Sequence, residues 1–214
     1  MLKNYRTSLS AADKKQAIEN IEQASVFDTH LLFLAALSAA IATFGLMNND
    51  AVVVIGAMMI NPLIPPFLGL AAGIVIKDNK LFLRSLVSSV TGIFTQFLVS
   101  FLIAYLVTPN ITEQILIRTR LDTANIVIAL GAGVIATFSF IWPGDHDKLI
   151  GAGTAIALLP PVSVAGIGLA LTDHSVLYKS GVLALLNMLA IFGVALIVFW
   201  AVRLKRKYGW AFWR

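Results

Sequence analysis

Apolar residues in this chain run together rather than alternating with polar ones, in blocks as long as a bilayer is thick. Six such segments can be drawn, over residues 29–47, 51–76, 82–107, 124–142, 149–171 and 180–202. A helix of about 20 apolar residues crosses the hydrocarbon core. Within lipid every backbone N–H and C=O needs an internal partner, so the pattern predicts helices rather than strands. Residues 8–26 differ: Ser10 and Asp13 fit a capping box, and Ala17, Ile18, Ile21 and Ala24 share one face. This amphipathic helix is expected to lie on the cytoplasmic membrane surface or to lead into the first span.

The six segments form two groups of three, because the sequence repeats itself. Ile55-Gly56-Ala57 recurs as Ile150-Gly151-Ala152, Leu63-x-Pro65-Pro66 as Leu158-x-Pro160-Pro161, Gly73 as Gly168, Asp78 as Asp173 and Ser85 as Ser180, always 95 positions on. Upstream, Ile41-Ala42-Thr43-Phe44 recurs as Ile135-Ala136-Thr137-Phe138, 94 positions on. A tandem duplication explains prolines, glycines and an aspartate in one register. A three-crossing unit starts its second copy on the opposite side of the membrane, so the repeats are expected to be inverted.

Composition agrees with a membrane protein. Of 214 residues, 58% are hydrophobic and 13% charged, against about 25% charged in a soluble domain. With no cysteine, neither disulfides nor thiol chemistry enters. The first 27 residues lack a cleavable signal, which leaves the first span to serve as its own. If both termini are cytoplasmic and all six segments cross, 13 of the 16 Lys and Arg residues fall inside and 3 outside. Entry and exit of segments two and five on one side gives 11 against 5. The positive-inside bias favours six crossings. The expected fold is therefore an all-α protein of the cytoplasmic (inner) membrane, with six transmembrane helices as two inverted three-helix repeats and helices two and five broken at Pro-rich motifs. Its parts are a cytoplasmic N-terminal segment (1–27), a first repeat (28–107), an extracytoplasmic linker (108–123), a second repeat (124–202) and a basic, aromatic cytoplasmic tail (203–214). Lys205, Arg206, Lys207, Tyr208, Trp210 and Trp213 in that tail suit lipid headgroups. No loop is long enough for a nucleic-acid-binding domain, so the net charge of +5 is read as membrane anchoring.

Candidate chemistry centres on the two breaks. Asn61-Pro62-Leu63-Ile64-Pro65-Pro66 and Leu159-Pro160-Pro161 cannot continue as straight helices, and the backbone they interrupt must face protein or water. Two crossed, broken helices would make a central pathway for an unidentified small solute or ion at Asn61, Pro62, Pro65, Pro66, Thr154, Pro160, Pro161 and Ser163, with Thr43, Gln96, Thr137 and Asn187 as further lining. Plainer roles stand beside these. The prolines can be structural kinks, Asn61 a helix cap, Gln96 and Asn187 interhelical hydrogen bonders, and the threonines bonded to their own helices. Gly69-x-x-x-Gly73 has the spacing of close helix packing.

No Asp, Glu, Lys, Arg or His lies at the middle of a span. That disfavours proton coupling and intramembrane catalysis, so no catalytic residue, cofactor or metal is expected. Asp78 and Asp173 are expected as helix caps. Asp145-His146-Asp147 is a weak metal pattern, because consecutive residues rarely converge on one ion.

Val54 to Leu63 and Ala155 to Pro161, with their glycines and prolines, resemble a broad prokaryotic family of hydrophobic membrane proteins, domain of unknown function number 389, from about residue 28 to 202. The resemblance implies no substrate and no functional residue. Some members look as if they add a soluble regulatory domain before the spans, where this chain has its short polar head. The leading expectation is a channel or facilitator, homo-oligomeric in membrane lipid. A non-transporting scaffold or lipid-interacting protein is the alternative.

Overall fold

Three turns in this protein are built alike, and an aspartate sets each one. Asn49, Lys77 and Thr172 adopt left-handed backbone with φ of 57°, 58° and 54°. The next residue in each case folds its N–H back to a glycine carbonyl: Asp50 to Gly45 at 2.8 Å, Asp78 to Gly73 at 2.8 Å and Asp173 to Gly168 at 2.9 Å. The carboxylate then accepts from the first N–H groups of the following helix, as Asp78 does from Lys80 and Leu81 and Asp173 from Ser175 and Val176. Ending one helix in αL and capping the next satisfies the backbone groups that helix ends expose. The last two turns are repeat equivalents, and their geometry matches.

The computed structural model describes residues 10–141 and 158–204. In chain order the helices are α1 (Ala11–Ala24), α2 (Thr29–Met47), α3 (Ala51–Met59), α4 (Ile64–Ile76), α5 (Asn79–Val107), α6 (Glu113–Ile117), α7 (Thr123–Ile141), α8 (Leu159–Ala170) and α9 (His174–Ala201). The described residues contain no strand. α2, α5, α7 and α9 are long and apolar enough to cross a membrane, and α3 and α4, bent by 47° at the break between them, are so only as a pair. α8 is a shorter apolar helix. The described residues are all-helical, and their apolar helices mark a multi-pass membrane protein.

The first three segments run up, down and up. Gly45 packs against Val53 and Val54, so α3 turns back along α2. Gly69 faces Ser85 and Gly73 faces the backbone of Phe82, so α4 is antiparallel to α5. A side chain on Gly92 would touch Leu63 and approach Leu31 Cδ2 at 3.6 Å, while Thr43 bonds Ser100; α2 and α5 therefore run the same way. Two shorter helices interlock the two groups: α4 lies on both α5 and α9, and α8 on both α9 and α5.

The structure departs from the sequence expectations in four places. α5 and α9 begin at Asn79 and His174, ahead of the apolar runs, because Asp78 and Asp173 cap polar first turns. The linker at 108–123 contains a helix, α6, capped by Thr112 and anchored by fully buried Ile115. Burial in this linker lowers the pKa of Arg118 from the usual arginine value. Finally, α1 turns its apolar face to protein. Its Ala17, Ile18 and Ile21 are buried, and it packs on α4 and α7. Its capping box is as expected, with Asp13 N–H on Ser10 Oγ at 3.1 Å and Ser10 N–H on Asp13 Oδ2 at 2.8 Å. The first half of segment five, Asp145-His146-Asp147 and the tail beyond residue 204 lie outside the described residues.

Candidate functional site

Prolines normally break a helix because they lack an N–H and clash with the preceding turn, at about 3 kcal/mol in a helix interior. Here both pairs avoid that cost. Pro65 and Pro66 fall in the first turn of α4, and Pro160 and Pro161 in the first turn of α8, where an N–H would have no helical partner. Neither N-cap, Leu63 or Leu158, makes a side-chain capping bond. Asn61 is thus not the cap of α4. Its Oδ1 accepts from Leu63 N–H at 3.3 Å, holding the turn between the half-helices.

The same oxygen accepts from Gln96 Nε2 on α5 at 2.7 Å. Asn61 is 8% exposed and Gln96 fully buried. The bond uses one half of each amide. Asn61 Nδ2 and Gln96 Oε1 have no hydrogen-bond partner among the described residues. A buried polar group left unpaired costs about 1–3 kcal/mol, so a donor and an acceptor stand together at a price in stability.

Gln96 belongs to a longer row. The buried face of α5 consists of Leu81, Ser85, Ser88, Ser89, Gly92, Gln96, Ser100 and Ala104. Between Ser85 and Ser100 every buried side chain is polar or absent, while Leu83, Val90, Phe94 and Tyr105 point outward. This inverts the arrangement of a soluble amphipathic helix. At 1.5 Å per residue the row spans about 22 Å, most of a ~30 Å hydrocarbon core. Ser85 Oγ and Ser89 Oγ are unpaired among the described residues. On the half-buried flank of α5, by contrast, Thr91 and Thr95 donate to carbonyls four residues back at 2.6 and 2.8 Å.

Other helices add to the row. Thr43 on α2 donates to Ala39 O at 2.7 Å and shares a 2.8 Å hydrogen bond with Ser100. On α8, a side chain at Gly166 would lie 2.6 Å from Phe97 O and 3.0 Å from Ser100 Cβ. Ser163, one turn earlier on the same face, is fully buried and its Oγ unpaired among the described residues. The structure therefore sets Thr43, Asn61, Gln96 and the α8 face carrying Ser163 along one polar row of α5.

The other candidates fall elsewhere. Thr137 bonds Gly133 O on its own helix at 2.7 Å. Asn187 is buried on α9. Pro62 and Pro65 are half-buried, Pro66, Pro160 and Pro161 buried, and Thr154 lies outside the described residues. Packing of α4 and α8 is directed at α5 and α9. Ser85, Ser88, Ser89 and Ser100 were not anticipated. Their signal is polar or small residues at 85, 88, 92, 96 and 100 within an otherwise apolar span.

The two copies are not chemically equivalent. Ninety-five positions beyond Gln96 stands Ile191, fully buried, and beyond Ser100 stands Ala195, also fully buried. Asn61 corresponds to Ile156. Ser85 and Ser180 are equivalent, yet Ser180 donates to Val176 O at 2.6 Å. The polar row is a property of α5 that α9 lacks.

An uncharacterized protein of the archaeon Methanocaldococcus jannaschii is 31% identical over 182 residues, 84% of this chain. The chain spans 56% of that relative's length. No solved structure matches it. The family model described as Domain of unknown function (DUF389) matches residues 58–193, well over half of the sequence, and the chain belongs to that family.

Proposed function

We propose that this protein is a membrane channel or facilitator for a small solute, with its pathway along the buried polar face of α5 between the two repeats. One observation carries the reading: hydroxyl and amide groups face inward from Ser85 to Ser100 while the same helix turns hydrocarbon to lipid. A scaffold gains nothing from several unpaired polar atoms, each of which lowers stability. A conduit needs groups that exchange hydrogen bonds with what passes.

The proposal includes six crossings, inverted repeats and cytoplasmic termini. The basic-residue distribution supports that orientation, as do the parallel course of α2 and α5 and the matched turns at Asp78 and Asp173. Gly131, Gly181 and Gly193, with nothing within 4 Å of an added Cβ, leave open small-residue surface that suits a homo-oligomer.

The chain has no cysteine, so single-cysteine scanning has no background. Aqueous thiol reagents should label cysteines placed at 85, 89, 96 and 163, and should reach 77–81 and 172–176 from opposite sides of the membrane. Complete protection of the first set favours the scaffold. Labelling of both loops from one side removes the inverted arrangement. Reconstituted vesicles supply the direct test: no flux of any small ion or solute above empty liposomes defeats the reading.

A further inference from the structure

The unpaired atoms beside the break define what can be recognised there. We infer that the site at Asn61 and Gln96, on the polar row of α5 that the Ser163 face of α8 also meets, takes a small uncharged molecule carrying both a hydrogen-bond donor and an acceptor: water, a short polyol or a small amide. The inference deepens the transport reading above and rests on it.

Three features select this class. First, the free valences are mixed. Asn61 Nδ2 donates, Gln96 Oε1 accepts and Ser163 Oγ can do either, and all three are unpaired among the described residues. Leu63 N–H on Asn61 Oδ1 fixes which way the Asn61 amide points. Second, an anion is poorly served. Helix N-termini hold anions through a fan of free N–H groups, but Pro65 and Pro66 take two of those donors from the first turn of α4, and Pro160 and Pro161 two from α8, leaving Ile64 and Leu159. Third, a cation is poorly served. It requires several converging oxygens or a carboxylate to replace its water, and no span carries an acidic residue near its middle.

The site is also single. Ile191 and Ala195 stand where a second copy would need Gln96 and Ser100, and Leu68 stands opposite Ser163 in the repeat register. One chain then offers one polar station, used in both directions of passage.

The test uses the full chain in proteoliposomes. Stopped-flow light scattering would follow water, glycerol and urea, while a voltage-sensitive dye follows potassium and chloride in the same preparation. Permeability to at least one uncharged probe should exceed that of empty liposomes, and the probe that responds identifies water, polyol or amide as the class carried. Gln96→Leu should lower that permeability about tenfold, the scale of one buried hydrogen bond. Ser163→Ala, which removes one oxygen and little packing, should lower it by a smaller factor. Ile191→Leu should leave it unchanged. Ion flux without uncharged-solute flux overturns this inference and leaves the transport reading intact. Absence of all flux overturns both. Uncharged-solute flux that folded Gln96→Leu and Ser163→Ala proteins retain at full rate overturns the site.

Discussion

The Ser25 hydroxyl donates to the Pro65 carbonyl at 2.9 Å, tying the end of the N-terminal helix to the break in the second span. Ser88 Oγ donates to Ser25 O at 2.9 Å, and Ser25 Oγ also lies against Gly69. At the other end of α1, Lys14 Nζ donates to Val202 O at 2.5 Å. α1 thus runs from the end of α9 inward to the polar row, bridging α4 and α7. Replacing Ser25 by Ala should cost about 1–2 kcal/mol through the lost hydrogen bond, lowering the melting temperature in detergent. Ser25→Ala/Ser88→Ala should also raise amide exchange in residues 11–24 well before the spans open. If α1 occludes one end of the row, the double variant should pass solute faster than the native chain.

The glycines divide sharply by what surrounds them. A Cβ on Gly73 would sit 2.8 Å from Phe82 N, and one on Gly168 2.6 Å from Leu177 N, both rigid backbone. Gly73→Ala and Gly168→Ala should each destabilise by roughly 1–3 kcal/mol as the hairpins spread. Nothing lies within 4 Å of a Cβ at Gly131, Gly181 or Gly193. Alanine there should stabilise by up to about 1 kcal/mol through helix propensity. Thermal melts of the five single variants in one detergent would separate the groups. Equal effects would contradict the packing.

How far the fold shows in the sequence follows from the physics at each place. Lipid demands unbroken apolar runs, so α2 occupies residues 29–47 as the pattern predicts, and prolines mark the interruption between α3 and α4. Polar turns beyond an aspartate cap carry no apolar signal, which hides the first turns of α5 and α9. Amphipathic faces suit a membrane surface and a protein groove equally, so Ile18 and Ile21 cannot announce which one α1 meets. Pairing of Gln96 with Asn61, 35 positions apart, is tertiary information. Both amides stand out as polar residues in spans, but nothing local says that they share one bond. The serine face of α5 was legible, since its 3–4 residue spacing lies in plain view; it is hidden only from a search for apolar periodicity.

Asp78 and Asp173 offer a test of the repeat as a structural unit. Each accepts two backbone N–H groups at 2.9–3.0 Å. Asp78→Ala and Asp173→Ala should each cost about 0.5–2 kcal/mol, and asparagine should recover most of the loss. The turns cap different hairpins, so the double variant should show the sum of the single effects. A marked excess over that sum, measured by chemical unfolding in micelles, would mean that the two hairpins are coupled through the interlocked α4 and α8.

Charge is missing from the polar row, and that fixes a pH response. With no titratable side chain from Ser85 to Ser100 on α5, flux of an uncharged solute should stay constant between about pH 5 and 8. Gln96→Glu converts the site into one that titrates. Protonated, the new carboxyl keeps a donor for Asn61 Oδ1 and an acceptor facing the row, so it mimics the amide. Ionised at this fully buried position, the carboxylate is a charge stranded away from water, which costs stability, so stability should fall as pH rises through the range in which the carboxyl ionises. Melting temperature and solute flux of Gln96→Glu should decline together over that interval, while the native chain shows neither change. A variant whose flux ignores pH as its melting temperature falls would place Gln96 in the packing and outside the path of the solute.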